Sequence, residues 1–194
     1  VSQYPPEQSD TYVKATTYDY WPYFATDPTK SLIGSWADNS WLSTSGVGGG
    51  NTNQRFHIDL GSEKVITRLY YENLHGTGAF TDQGVKSFTF WSSNTEASFL
   101  ELDYSIDEGW TQMDTEQPYF DEHIAENVPD PKYILVTNST ACRYYGLKFA
   151  DNYGGSVFMG LRRIELQTGE EEEEKKEPDY YPLFKKKSWG CGKA

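Results

Sequence analysis

Three segments, 35–53, 73–83 and 151–156, gather aromatic rings with Asn, Asp and His in stretches rich in turn residues. That combination suits a binding surface rather than a catalytic centre, with rings for apolar contact and fixed donors and acceptors beside them. From these segments Trp36, Trp41, His75, Phe80, Asn152 and Tyr153 are the candidate ligand-binding residues. Each has a plainer reading beside it. Trp36 and Trp41 are either platforms or structural plugs. His75, between Leu74 and Gly76, reads as exposed on a turn, where a histidine usually has no task. Asp151 and Asn152 either meet a ligand or only cap a turn through side-chain to backbone bonds. His57, alternating with Phe56 and Ile58, belongs with Arg55 and Asp59 to a satisfied polar strand face and is left out of the candidate site.

Covalent chemistry has little to stand on. The chain lacks a Gly-x-Ser-x-Gly elbow, a Gly-rich phosphate loop with Lys, a His-Glu-x-x-His pair and a Cys-x-x-Cys pair. A glycosidase needs only two carboxylates about 5 to 9 Å apart, which spacing along a β chain does not reveal. With three histidines and no catalytic motif, the expectation is a protein that is not an enzyme.

The elements that would position these loops read as strands. In Gln54-Arg55-Phe56-His57-Ile58-Asp59-Leu60-Gly61 the apolar residues alternate with polar ones, putting Phe56, Ile58 and Leu60 on one face of a half-buried strand that Gly61 ends. Similar runs lie at 65–71, 86–91, 133–137, 143–149 and 163–167, separated by Gly, Asn, Asp, Ser and Pro clusters. Single helical turns are expected at 94–99 and 119–127. Short strands with turns between them point to an all-β, jelly-roll-like antiparallel sandwich.

Residues 1–30, with Pro5, Pro6, Pro22 and Pro28, suit an extended N-terminal arm with short β-bridges. The sandwich is expected over 31–168. Beyond it, 169–194 opens on five consecutive glutamates, a self-repelling solvated linker, and continues into an aromatic and basic tail.

A length of 194 residues fits one domain, and 16% aromatics, with six Trp and fifteen Tyr, exceeds what one core needs, so many rings must reach the surface. A formal charge of −12 argues against nucleic acid and anionic membranes, which call for clustered Lys and Arg. No run approaches the roughly 20 apolar residues of a bilayer span, so the expectation is a soluble chain without membrane insertion. Cys142 and Cys191 are expected as two free thiols, with a single bridge to the tail as the other arrangement.

Five elements in order carry a resemblance: Trp36-Ala37-Asp38-Asn39-Ser40-Trp41-Leu42-Ser43, Arg55-Phe56-His57-Ile58-Asp59-Leu60-Gly61, Phe88-Thr89-Phe90-Trp91-Ser92-Ser93-Asn94, the run from Tyr144 to Phe149, and the run from Leu161 to Leu166. Together they resemble the galactose-binding-like, or discoidin-type, β-sandwich family. The Tyr144-Tyr145-Gly146-Leu147-Lys148-Phe149-Ala150-Asp151-Asn152-Tyr153-Gly154 and Arg162-Arg163-Ile164-Glu165-Leu166 runs also resemble bacteriophage structural proteins.

The family resemblance implies a jelly-roll-like sandwich whose loops at one end bind a sugar, a lipid head group or a protein, and it favours Trp41 as a buried plug. It also implies a calcium ion bracing the first long loop. Asp38 matches the loop carboxylate, but Arg163 stands where a Glu is expected, and its guanidinium could pair with Asp38 and replace the ion. No cofactor is therefore expected, with calcium the only candidate.

The combined expectation is a virion surface or tail component. Its ends attach it to other virion or assembly proteins or to further copies of itself, and its loops display a glycan-binding surface. The alternative is a free-standing or accessory glycan-binding, lectin-like module of an extracellular or ciliary protein.

Overall fold

In the computed structural model, residues 1–45, 50–155 and 157–169 are described. Among these residues ten strands, all paired antiparallel, form one curled sheet that folds over on itself. One layer runs β1 (Ser2–Gln3), β10 (Gly160–Gln167), β5 (Arg68–Asn73) and β8 (Lys132–Thr137), with β3 (Trp41–Leu42) also on β10. The other runs β7 (Thr111–Thr115), β6 (Phe88–Ser93), β9 (Cys142–Phe149), β4 (Gln54–Lys64) and β2 (Val13–Ala15). The layers join where Asp114 and Thr115 of β7 pair with Thr137 and Val136 of β8. This is the antiparallel sandwich that the alternating pattern predicts.

The core lies between the layers. Phe56, Ile58 and Leu60 from β4, Phe88 and Phe90 from β6, and Tyr145, Leu147 and Phe149 from β9 meet Leu69 and Tyr71 from β5, Ile134 from β8, and Leu161, Ile164 and Leu166 from β10. Burying these side chains, at roughly 1.5 to 3 kcal/mol each, is the main favourable contribution to folding.

Several expectations are corrected. Gly61 does not end β4: it takes a positive φ of 70° and the strand continues to Lys64. β7 was not expected, because in Thr111-Gln112-Met113-Asp114-Thr115 only Met113 turns inward and one apolar residue makes no period. Segment 119–127 forms no helix. The short helix α1 (Glu96–Leu100) overlaps the other expected helical turn. Residues of the N-terminal arm are part of the body, since Val13, Ala15 and Ala25 lie in the core and β1 and β2 extend the two layers.

The polar face of β4 is buried as well. Segment 94–110 folds back across it, so Arg55, His57 and Asp59 are nearly or wholly inaccessible. Arg55 bonds Asp107, the Ile106 carbonyl and, at 2.7 Å, the Asp103 carbonyl. His57 bonds the Phe99 carbonyl through Nδ1 at 2.9 Å, but among the described residues its Nε2 has no partner, so they do not fully satisfy this face. Burial, only partly opposed by that bond, lowers the His57 pKa from 6.5 to about 4. Cys142 is buried and forms no disulfide among the described residues, while Cys191 and the linker and tail lie outside them.

Candidate functional site

One end of the sandwich collects the segments in which the candidate residues lie. β5 and β9 finish there and β6, β8 and β10 begin there, so 31–40, 74–87, 119–131 and 150–159 converge. Direct bonds hold them together. The Gly34 N–H donates to Asn127 Oδ1 at 2.7 Å, the Thr77 N–H to the Gly34 carbonyl at 3.0 Å, and the Gly155 N–H to the Asp82 carbonyl at 3.0 Å.

Trp36 and Phe80 are the two candidates that touch. Their rings meet edge to face with centroids 5.0 Å apart. A tight turn prepares this contact: Gly76 and Ala79 exchange backbone bonds of 2.8 and 3.0 Å across Thr77 and Gly78, both at positive φ. Gly76 lies flat beneath the indole, and a Cβ there would come within 2.5 Å of Trp36 Cε3. Phe80 follows at φ 60°, a left-handed conformation that costs a bulky residue free energy, and the residue is 55% exposed. The Trp36 indole is half-buried, and among the described residues its N–H has no hydrogen-bond partner.

The other candidates have structural duties. Trp41 is fully buried, packs on Phe56 and Phe149, and donates its indole N–H to the Thr17 carbonyl at 3.1 Å. It is a core residue. His75 is not exposed on a turn but fully buried. Its Nε2 donates to the Leu32 carbonyl at 2.9 Å, its Nδ1 accepts from the Gly78 N–H at 3.0 Å, and its ring stacks on His123 at 3.9 Å. Burial lowers its pKa from 6.5 to about 4, the Leu32 bond opposing and Arg162 adding to the shift. Asn152 spends its amide on the Gly155 and Phe158 carbonyls at 2.9 and 2.7 Å and on the Gly154 N–H at 3.0 Å, the capping role. The Tyr153 hydroxyl donates to the Phe120 carbonyl at 2.6 Å, leaving the half-buried ring beside Lys86.

Arg162 is the residue that sequence reasoning missed. The pairing of β10 with β5 shifts register between Leu161 and Arg163, and the intervening Arg162 is turned wholly inside. Its Nη1 donates to the carbonyls of Ser31 and Ile33 at 3.1 and 3.2 Å, and its Nη2 to those of Gly34 and His75 at 2.9 and 2.6 Å. Burial lowers its pKa to about 10, with the charge of Glu72 opposing. Arg163, the residue expected to act here, instead bonds the Lys30 carbonyl at 2.8 Å and approaches Glu165 at 3.5 Å. Its expected pairing with Asp38 is absent; Asp38 is exposed, at φ 59°.

The residues present do not fit calcium at this loop. The carbonyls that could coordinate a cation already face a guanidinium, whose charge would repel a second one. Among the described residues no group of three or more His, Cys, Asp or Glu is placed to hold a metal.

No family model and no curated protein matches the chain. Solved structures do. A chitosan-binding module of a chitosanase/glucanase from Paenibacillus sp. IK-5 aligns with a TM-score of 0.52 at 16% identity, over 80% of this chain and 93% of that one. The CBM32 module of AlyQ, in complex with 4,5-unsaturated mannuronic acid, aligns at 0.53 and 14% identity, over 87% and 100%. The family 32 module of Clostridium perfringens NanJ, in complex with galactose, aligns at 0.51 and 13% identity, over 79% and 90%. The fold is the β-sandwich of these carbohydrate-binding modules. The resemblance to bacteriophage structural proteins is not shown by these three.

Proposed function

We propose that this chain is a non-catalytic glycan-binding module whose ligand rests on the Trp36–Phe80 pair at the loop end. The observation that carries the reading is Phe80, held exposed in a left-handed conformation and edge-on to an indole whose N–H is unspent. A bulky residue in that conformation persists only where the surroundings impose it, and such strain clusters at ligand clamps. The pair offers an apolar face and a directed donor to a sugar ring. The fold adds support, because modules of this shape bind sugars. A surface setting, virion or extracellular, is the finer part of the proposal and rests on the sequence resemblance.

A glycan array with wild type, Trp36→Ala and Phe80→Ala tests it. The expected result is a wild-type signal that falls at least tenfold in both variants while the melting temperature shifts little. No wild-type signal, or one that survives both substitutions, overturns the proposal.

A further inference from the structure

His123 is a buried histidine whose two ring nitrogens both face carbonyl oxygens, Nδ1 that of Ile124 and Nε2 that of Val128 at 3.1 Å. A neutral imidazole carries one N–H, so one of these contacts would set lone pair against lone pair. Only the imidazolium, with two donors, satisfies both. Its ring lies on that of His75, with centroids 3.9 Å apart and planes 16° from parallel. The bonds of His75 call for the opposite state, because its Nδ1 must accept from the Gly78 N–H while its Nε2 donates to the Leu32 carbonyl. The stacked pair is thus built for one extra proton, carried by His123.

The charges around the pair agree with that assignment. Asp130 accepts from the Ile124 N–H at 3.1 Å and pairs with Lys132. It is held below the usual carboxylate range, burial opposing while the Lys132 and Ile124 bonds and the charges of Lys132 and His123 prevail. Glu72, on β5, accepts from the Asp130 N–H at 2.6 Å. Burial keeps His75 neutral, and the charges of Arg162, which donates to the His75 carbonyl, and of His123 add to the effect.

The segment that His123 ties together supports the aromatic pair. Residues 122–130 hold neither helix nor strand, so their shape rests on side-chain bonds such as these two. Asn127 Oδ1 takes the Gly34 N–H two residues before Trp36, the backbone of Glu126 and Asn127 lies against Gly78 two residues before Phe80, and Glu122 accepts from the Thr81 hydroxyl at 2.6 Å. Resting on the glycan-binding reading above, we infer that His123 is a proton-operated clasp of the binding site. Charged, it fixes 122–130 against the Trp36 loop and the Phe80 turn, and the platform binds sugar more tightly in mildly acidic than in mildly alkaline solution. Histidine changes charge between about pH 5 and 8. As pH rises through that range one carbonyl loses its donor and the clasp loosens. Below about pH 4 His75 takes up a proton of its own, Gly78 loses its acceptor and two like charges face each other across the stack. Binding therefore peaks between these limits.

Long-range proton–nitrogen spectra of the wild type read the clasp without any ligand. At about pH 5.5 both ring nitrogens of His123 are expected to carry protons, and at about pH 8 only one. The Gly34 and Gly78 amide protons should then exchange several-fold faster than the intrinsic effect of pH accounts for. The glycan array, read at both pH values, should give a signal about threefold to tenfold stronger at the acidic one, the worth of one hydrogen bond. His123→Gln, which does not titrate, should give the same signal at both. A single protonated nitrogen at about pH 5.5, or a wild-type array signal equal or weaker there, overturns the inference and leaves the glycan-binding reading standing. A blank array at both pH values removes that reading and the affinity claim with it, while the spectra and exchange rates still decide the clasp.

Discussion

The Nη2 of Arg162 donates to the carbonyl of His75 at 2.6 Å, and through its other bonds the same guanidinium holds the backbone of Ser31, Ile33 and Gly34. A single buried side chain therefore joins the first long loop, which carries Trp36, to the segment that carries Phe80. Arg162→Met leaves four carbonyls without this donor, at about 1 to 3 kcal/mol for each that water does not reach. Urea unfolding should show a loss of at least about 3 kcal/mol. Calcium and chelator should leave the wild-type melting temperature unchanged, because the carbonyls are already engaged; a rise with calcium would contradict the guanidinium's role.

The two tryptophans of the first loop separate by experiment. Trp41→Ala empties the space between Phe56 and Phe149 and should cost about 3 to 5 kcal/mol in denaturant unfolding. Trp36→Ala should cost far less and act on binding. Equal destabilisation by both would place Trp36 in the core.

Gly76→Ala sets a methyl group 2.5 Å from the Trp36 ring, inside any permitted contact. The indole must lift off the turn. Binding should weaken about as much as in Trp36→Ala, with a change in tryptophan fluorescence that the wild type does not show. Unchanged affinity would mean that the ring position does not matter to the ligand.

Acid should destabilise the fold in two stages. The pKa values of His57 and His75 are lowered from 6.5 to about 4, so the unfolded chain takes up protons that the folded chain refuses. The stability they confer is complete above pH 6.5 and is lost as pH falls from 6.5 to 4. Asp107 is held below the usual carboxylate range, burial opposing and hydrogen bonds from Lys148 and Arg55 prevailing, so its contribution disappears only below pH 4. Urea unfolding between pH 7 and 4 should show a decline that His57→Gln/His75→Gln flattens. A wild-type stability independent of pH over that range would rule the histidine contribution out.

Much of the framework could be read from residues in a row. Phe56, Ile58 and Leu60 declare a strand because a period of two marks one face, and the turn residues between such runs leave an antiparallel sandwich as the economical arrangement. β7 escaped notice because Met113 alone faces the core. The burial of Arg55, His57 and Asp59 escaped too, since the chain that covers them comes from 94–110, some forty residues away.

Composition and local pattern determined by themselves that this chain is an all-β sandwich with loops rich in rings and carboxylates. Only the tertiary structure decided which of Trp36 and Trp41 faces solvent, that His75 is buried and that Arg162 rather than Arg163 grips the first loop. The reason is physical. Periodicity reports which side of its own element a residue occupies, whereas a register shift in β10 and the convergence of distant loops depend on partners that no local pattern names.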